Sequence, residues 1–423
     1  MYMGIINLFR KKEDVLDTMF SQLNNPLQEI REDALSKLEN LQLSVDQGLR
    51  VLEMAKNTFP PAKYDWQDIS AQLIDVCAVK PYVEYIGKIE DIYDNLNSYA
   101  KISALQFLST YESEQALIVY LKLLGKDYAE LKSLPCGSLY ERPRFPQILF
   151  PGLLKFMDNK EIASQISLIL LNYFNCDLVD ESSLADYKKT IVNDIVDMAD
   201  KVNGYDLKID TNSIWDDEEY LSLRSKAGIY FDLAGYIKDP KVTLALKGLM
   251  QIKDMKLKMF AAMSLLKHGC DLREEDVMDI AGDSEVRNWF YDSLVEMGKD
   301  EIYPEQFKNQ KYFAESNMVD WLVYPTELGR VPDEIELMNV FEEEGLEYYL
   351  FRFRCDSKKD WEKSGWMAGL SGPYIKQNCP TTVAEGHTFS RFEEWDSKTP
   401  HEHFSSIVGN IRDYWSSVAD DLQ

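Results

Sequence analysis

The side chains that could do chemistry are unevenly placed in this chain. Four histidines (His268, His387, His401, His403) and six cysteines (Cys77, Cys136, Cys176, Cys270, Cys355, Cys379) stand among 72 acidic residues. No two cysteines form a C-x-x-C pair, so they read as reduced, mostly buried thiols rather than a zinc or disulfide framework. His401 and His403 flank Glu402. Two histidines two apart on a helix point away from each other, and a helical zinc pair needs i, i+4 spacing. No metal site is expected. Gly369-Leu370-Ser371-Gly372 lacks the glycine spacing of a nucleophile elbow. Neither a P-loop nor a dinucleotide fingerprint is present. No catalytic residue is assigned and no cofactor is expected.

Three groups remain that could bind something. Trp215 precedes Asp216-Asp217-Glu218-Glu219. This run suits the acidic first turn of a helix, and it could also face a basic partner. Arg142 and Arg144 lie in the proline-rich stretch from Gly125 to Pro146, which reads as a long ordered loop. They could hold a partner's carboxylate or pair with the chain's own acids. Trp366, His387, Phe389 and Trp395 are close in sequence near the C-terminus. They could line a pocket or form the core of a small domain.

Charge narrows the partners. With 46 basic and 72 acidic residues the formal net charge is −26 over 423 residues. Such a chain repels polyanions, so nucleic acid and anionic membranes are not expected partners, and a basic protein is the more natural one. No stretch is apolar for the length of a membrane span, and a cytoplasmic protein is expected.

The elements that carry these residues are mostly helical. One pattern is written twice: DMKLKMFAAMSLLKHG from Asp254 to Gly269, and DSEVRNWFYDSLVEMG from Asp283 to Gly298. Asp at the front can cap a helix, and Gly at the end can take the left-handed C′ conformation. The kernel is an apolar residue, a basic one, a small or aromatic one, then an apolar one four residues on. It recurs at Ile30-Arg31, Ala100-Lys101 and Leu223-Arg224, the last closing at Gly235. The apolar members share one helix face. The basic residue is expected at the edge of that face, its stem packed and its charge outside. Asn25-Pro26 and Asp239-Pro240 each read as an N-cap followed by proline at the first helical position.

This V-R-x-x-A-x-x-x-L type of kernel with a closing glycine resembles the HEAT-like repeats of α-solenoid proteins, over roughly residues 10–310. The resemblance implies stacked helix pairs presenting an extended binding surface.

Beyond about Lys311 the periodicity changes. In Tyr348-Tyr-Leu-Phe-Arg-Phe-Arg-Cys355 the residues alternate like a half-buried strand, with Tyr349, Phe351, Phe353 and Cys355 on one face and Arg352 and Arg354 on the other. Glu334–Glu343, a turn at Glu343-Glu344-Gly345, Gly365–Ile375 and His387–Trp395 suggest three further strands. Thr399, Pro400 and Glu402 make a capping box for a closing helix. The expected fold class is therefore mostly α: a HEAT-like helical-repeat solenoid over 1–312, then a small α+β domain with an antiparallel sheet over 313–423. The expected function is non-catalytic binding of a protein partner, with an immunity-type inhibitor as its sharper form. An enzyme with a site in the C-terminal α+β domain is the alternative.

Overall fold

Seventeen α-helices and one four-stranded sheet make up the described part of the chain. The structure is a computed structural model and describes residues 15–206, 211–356, 365–376 and 389–421. The fold class is the expected one, mostly α followed by a small α+β region with an antiparallel sheet. The chain divides into two compact units, Met1–Tyr187 and Lys188–Gln423. Among the described residues no helix is long and apolar enough to cross a membrane.

The first unit holds α1 (Val15–Gln22), α2 (Gln28–Glu39), α3 (Val45–Met54), α4 (Ile69–Val79), α5 (Val83–Ile92), α6 (Ser98–Thr110), α7 (Glu114–Asp127), α8 (Pro146–Leu154) and α9 (Ala163–Asn175). Four of these nine starts are capped by a short polar side chain. Ser44 and Gln47 form a capping box on α3, while Asp68, Asn97 and Ser113 cap α4, α6 and α7. Each such cap satisfies an N–H that the helix leaves free, worth about 1 kcal/mol. The expected cap at Asn25 falls short of the helix. Asn25 accepts from Leu27 N at 2.9 Å, and α2 begins only at Gln28.

Helices here pack on the next but one: α2 on α4, α4 on α6, α3 on α5 and α5 on α7. Polar bonds run along the same stack. Lys122 reaches Glu90 at 2.6 Å and Lys126 reaches Asp94 at 2.7 Å, each pair 32 positions apart, and Leu134 N donates to Gln165 at 2.8 Å across 31. A lateral step of about thirty residues thus recurs where the sequence kernels are irregular.

The second unit holds α10 (Lys188–Asp206), α11 (Glu218–Ala234), α12 (Pro240–Leu249), α13 (Met255–Lys267), α14 (Glu274–Gly282), α15 (Arg287–Glu296) and α16 (Gln310–Val323). It ends with β1 (Glu334–Glu343), β2 (Leu346–Arg354), β3 (Met367–Ile375), β4 (Phe389–Glu394) and α17 (Pro400–Asp421). The twice-written pattern forms α13 and α15. Leu257, Val286, Leu265 and Leu294 are all buried, and Gly269 and Gly298 take φ of +79° and +63°. The two copies differ at the front. Asp254 caps α13 directly through Lys256 N and Leu257 N, both at 3.1 Å. Asp283 instead caps a turn through Glu285 N at 2.9 Å, because Val286 sits outside helical geometry and α15 starts at Arg287. Gly235 stays right-handed at φ −60°, and its missing side chain makes room for Ser264 and Lys267.

At four of the five kernels the basic residue does not keep its charge outside, while Lys101 is half-buried and pairs with Asp127 at 3.1 Å. Arg31, Arg224, Lys258 and Arg287 are all buried. Their heads find oxygens in the interior. Arg31 Nη1 donates to the carbonyls of Asn25 and Pro26, six and five residues back. Arg287 donates to Ala281 and Gly282, again six and five back, and also to Tyr312 O. Lys258 pairs with Asp276 and Asp279 at 3.2 and 2.9 Å. Carbonyls at chain bends and buried carboxylates offer the partners that make such burial tolerable.

The sheet is an antiparallel meander in the order β1-β2-β3-β4. Glu344 and Gly345, at φ +55° and +81°, make the tight turn between β1 and β2. That backbone matches the right-handed twist of a hairpin. β2 is buried on both faces over residues 348–351 and half-buried beyond, where Arg352 and Arg354 stay partly exposed as expected. Tyr349, Phe351, Phe353 and Cys355 pack with Ala314, Met318 and Leu322 of α16. Tyr348 and Leu350 pack with Phe404, Ile407 and Val408 of α17. The division expected between 312 and 313 falls inside α16, which contributes one side of the sheet's core. Thr399 N donates to Glu402 and Glu402 N to Thr399 Oγ1, at 2.8 and 3.4 Å, completing the expected box on α17.

Candidate functional site

Helices α11, α13 and α15 start side by side, and their starts enclose a cleft in the second unit. Its volume is about 340 Å³, and Trp215, Tyr220, Arg224, Asp254, Asp283 and Glu285 line it together with Val331. Each polar member is placed by a local rule. Asp254 is the cap of α13. Asp283 and Glu285 form the turn that precedes α15. Arg224 is the kernel's basic residue in α11, 30 positions before Asp254.

The guanidinium of Arg224 is the hub. Its Nε and Nη2 donate to Asp254 at 2.7 and 3.2 Å, while Nη1 and Nη2 donate to Glu285 at 2.9 and 2.7 Å. Tyr220 Oη donates to Asp254 Oδ2 at 2.7 Å, and the ring of Trp215 lies 5.1 Å from the guanidinium carbon. Burial works against the charge of Arg224, but Asp254 and Glu285 outweigh it and hold it firmly protonated. Paired charge-assisted bonds of this kind are short and directional.

Asp283 is in a different position. It has no ion-pair partner among the described residues, and its carboxyl accepts a hydrogen bond from Glu285 N. Burial, then the charge of Glu285, push its carboxyl up to about 6; Asp254 adds to this, and the Glu285 N–H and Arg287 oppose it. A carboxylate so placed gains from any cation that enters the cleft. Lys253 also lines it, and Lys256 approaches Glu285 at 4.0 Å. The lining residues include no serine, cysteine or histidine to pair as nucleophile and base.

The acidic run meets this cleft with divided duties. Trp215 lines it. Asp216 pairs with Arg330 at 2.9 Å, whose side chain is buried. Asp217 is the cap of α11, accepting from Tyr220 N at 2.9 Å. Glu219 hydrogen-bonds Tyr205, and Glu218 is exposed. Arg142 and Arg144 both pair with Glu112, in the first unit.

Near the C-terminus, Trp366 and Trp395 are brought together by the bond from Trp395 N to Trp366 O at 2.8 Å. Arg352 and Arg354 lie over the ring of Trp366 at 4.3 and 5.1 Å, and the ring of Trp395 stacks on His403 at 5.2 Å. His403 is fully buried, its two ring nitrogens each 2.9 Å from an oxygen, one of Glu393 and the other the carbonyl of Trp395. His387 lies outside the described residues, as does the side chain of Phe389. His401 meets Ser405 at 3.2 Å, and His268 lies between Thr243 Oγ1 and Ala234 O, each at 2.9 Å. Among the described residues no cluster of three or more His, Cys, Asp or Glu is arranged to hold a metal ion.

Sequence reasoning missed Tyr220, Arg224, Lys253, Asp254, Asp283 and Glu285 as a group. One signal was the spacing of 30 positions that sets the cap aspartate of α13, Asp254, beside the kernel arginine of α11.

No protein-family model matches the chain, and neither a curated protein nor a solved structure matches it.

Proposed function

We propose that this chain is a non-catalytic, HEAT-like helical-repeat protein of the cytoplasm that binds a basic protein partner, in the manner of an immunity-type inhibitor. The observation that carries this is Asp283, a carboxylate in a cleft beside two other carboxylates with no ion-pair partner of its own among the described residues. A lysine or arginine side chain from a partner would complete the network, with Trp215 as the aromatic wall beside it. Three further features support the reading. The lateral polar bonds about thirty residues apart suit stacked repeats, whose helix starts form extended surfaces. The net charge of −26 steers basic proteins toward the chain. Cys77, Cys136, Cys176, Cys270 and Cys355 are free thiols, which suits a reducing compartment.

Affinity capture from the native host, followed by mass spectrometry, tests the reading. The expected result is a basic protein retained at low salt and released as salt rises. Retention of nucleic acid, or of an acidic protein insensitive to salt, would contradict it.

A further inference from the structure

The sheet has an edge that nothing in the described structure covers. β1 is ten residues long, about 34 Å at the usual rise per residue, and pairs only with β2 among the described strands. Its outer row of N–H and C=O groups is a template for another strand. Proteins usually blunt such an edge with proline, unpaired lysine, a bulge or a very short strand, and of these β1 has only one bulge. It carries instead three partly exposed apolar side chains, Leu337, Met338 and Val340, at 37%, 36% and 44%. A bulge between Leu337 and Asn339 brings Leu337 and Val340 to the same face, opposite Phe351 and Tyr349 of the core. The hydrophobic core therefore runs out to the edge and stops there unfinished.

Charge says what fits. β1 has four glutamates, and each already has a cation from its own sheet or helix: Glu334 with Arg354, Glu336 with Arg352, Glu342 with Lys376 and Glu343 with Arg412. On a chain of net charge −26 this edge is a locally neutral strip. A basic strand would find no carboxylate lacking a partner along it, whereas a second copy of the same strip could approach without local repulsion. We propose that β1 is a self-association edge, at which two copies of this chain pair their β1 strands antiparallel about a two-fold axis and double the sheet. An axis near Met338 sets Leu337 of one copy beside Val340 of the other, an isologous contact of the kind two-fold dimers use. The contact is small, so the dimer forms in the micromolar range. The inference does not depend on the basic partner, and the two respond oppositely to salt. The long-range repulsion of two acidic chains is screened as salt rises, so dimerisation strengthens where basic-partner binding weakens.

Sedimentation velocity on the full chain between roughly 1 and 100 µM tests it. The wild type shifts from monomer to dimer over that range, more so at physiological salt than at low salt. The double variant Leu337→Lys/Val340→Lys stays monomeric with an unchanged circular dichroism spectrum, and mixing it with Leu337→Glu/Val340→Glu restores a dimer. Hydrogen exchange on the wild type needs no variant: β1 amides exchange more slowly as concentration rises. A wild type that is monomeric throughout, a dimer that survives the lysine pair, or β1 exchange independent of concentration would overturn the proposal.

Discussion

Arg224 and Glu285 are 61 positions apart, yet Nη2 of one lies 2.7 Å from Oε2 of the other. The same guanidinium holds Asp254, 30 positions on. One side chain thus ties three successive helix starts, those of α11, α13 and α15. Arg31 and Arg287, in contrast, each hold the carbonyls five and six residues behind them. At these three positions the buried guanidinium reaches back to the preceding bend, forward to a following helix, or both, as Arg287 does with Tyr312 O.

Removing the Arg224 staple should be severe. Arg224→Met leaves Asp254 and Glu285 facing each other in a buried site without their cation. Breaking a buried pair from one side costs about 3–5 kcal/mol. Urea unfolding should show the second unit losing stability by that order. Arg224→Lys should recover little, because an ammonium cannot fork to both carboxylates. A loss under about 1 kcal/mol would mean the network is not structural.

Asp283 gives a pH prediction with a definite sign. Its folded carboxyl is raised from 3.8 to about 6, so the folded chain holds this proton more tightly than the unfolded chain does. Its contribution to stability is present below pH 4 and is lost as pH rises through about 6. Asp283→Asn keeps the acceptor for Glu285 N and removes the charge. The variant should be more stable than the wild type at pH 7.5, by on the order of 1–2 kcal/mol, with the difference vanishing near pH 4. Thermal melts across that range measure it. Equal melting temperatures at pH 7.5 would show that the carboxylate is already compensated.

The close approach of α16 to the sheet is set by Gly369. A Cβ there would run into Met318 of α16 and lie 3.2 Å from Phe353. Met318 is itself fully buried, so it has little room to yield. Gly369→Val should destabilise the second unit by about 1–3 kcal/mol, as overpacked cores do. The companion Met318→Ala should relieve part of that loss, and a double-mutant cycle in urea would register the coupling.

Much of this fold was legible in the chain, and the places where it was not share a cause. The strands from Glu334 onward, the Glu344-Gly345 turn and the Thr399–Glu402 box rest on local rules of period, turn and cap, and local rules can be read from neighbours in sequence. The burial of Arg31, Arg224, Lys258 and Arg287 depends on oxygens delivered by other helices, which periodicity does not reveal. The same holds for the cleft. The acidic run is the start of α11, as its sequence suggests, but the sequence does not show that Asp216 answers buried Arg330 while Asp217 caps the helix. Asp254 and Asp283 look like caps and turn out to line the cleft as well. Trp215 was singled out for the right neighbourhood, and Arg224, its partner in space, was noticed only as a kernel residue.

That division of duties changes which acidic residues can be altered safely. Asp217→Lys should cost about 1 kcal/mol or more through the lost cap of α11, seen as a lower urea midpoint. Glu218→Lys, at an exposed position that neither caps nor lines the cleft, should leave stability within about 0.5 kcal/mol. Equal effects of the two would contradict the cap assignment.

The central claim is that the cleft binds a basic partner through Asp283, and one comparison tests it most directly. The captured partner is titrated against the wild type and against Asp283→Asn at pH 7.5. A charge-assisted hydrogen bond is worth about 1.5–3 kcal/mol, so the variant should bind roughly tenfold or more weakly while being the more stable protein. The wild type alone should also lose affinity as pH falls through about 6, where the carboxyl takes up its proton. Affinity unchanged by the substitution and flat across that pH range would contradict the account.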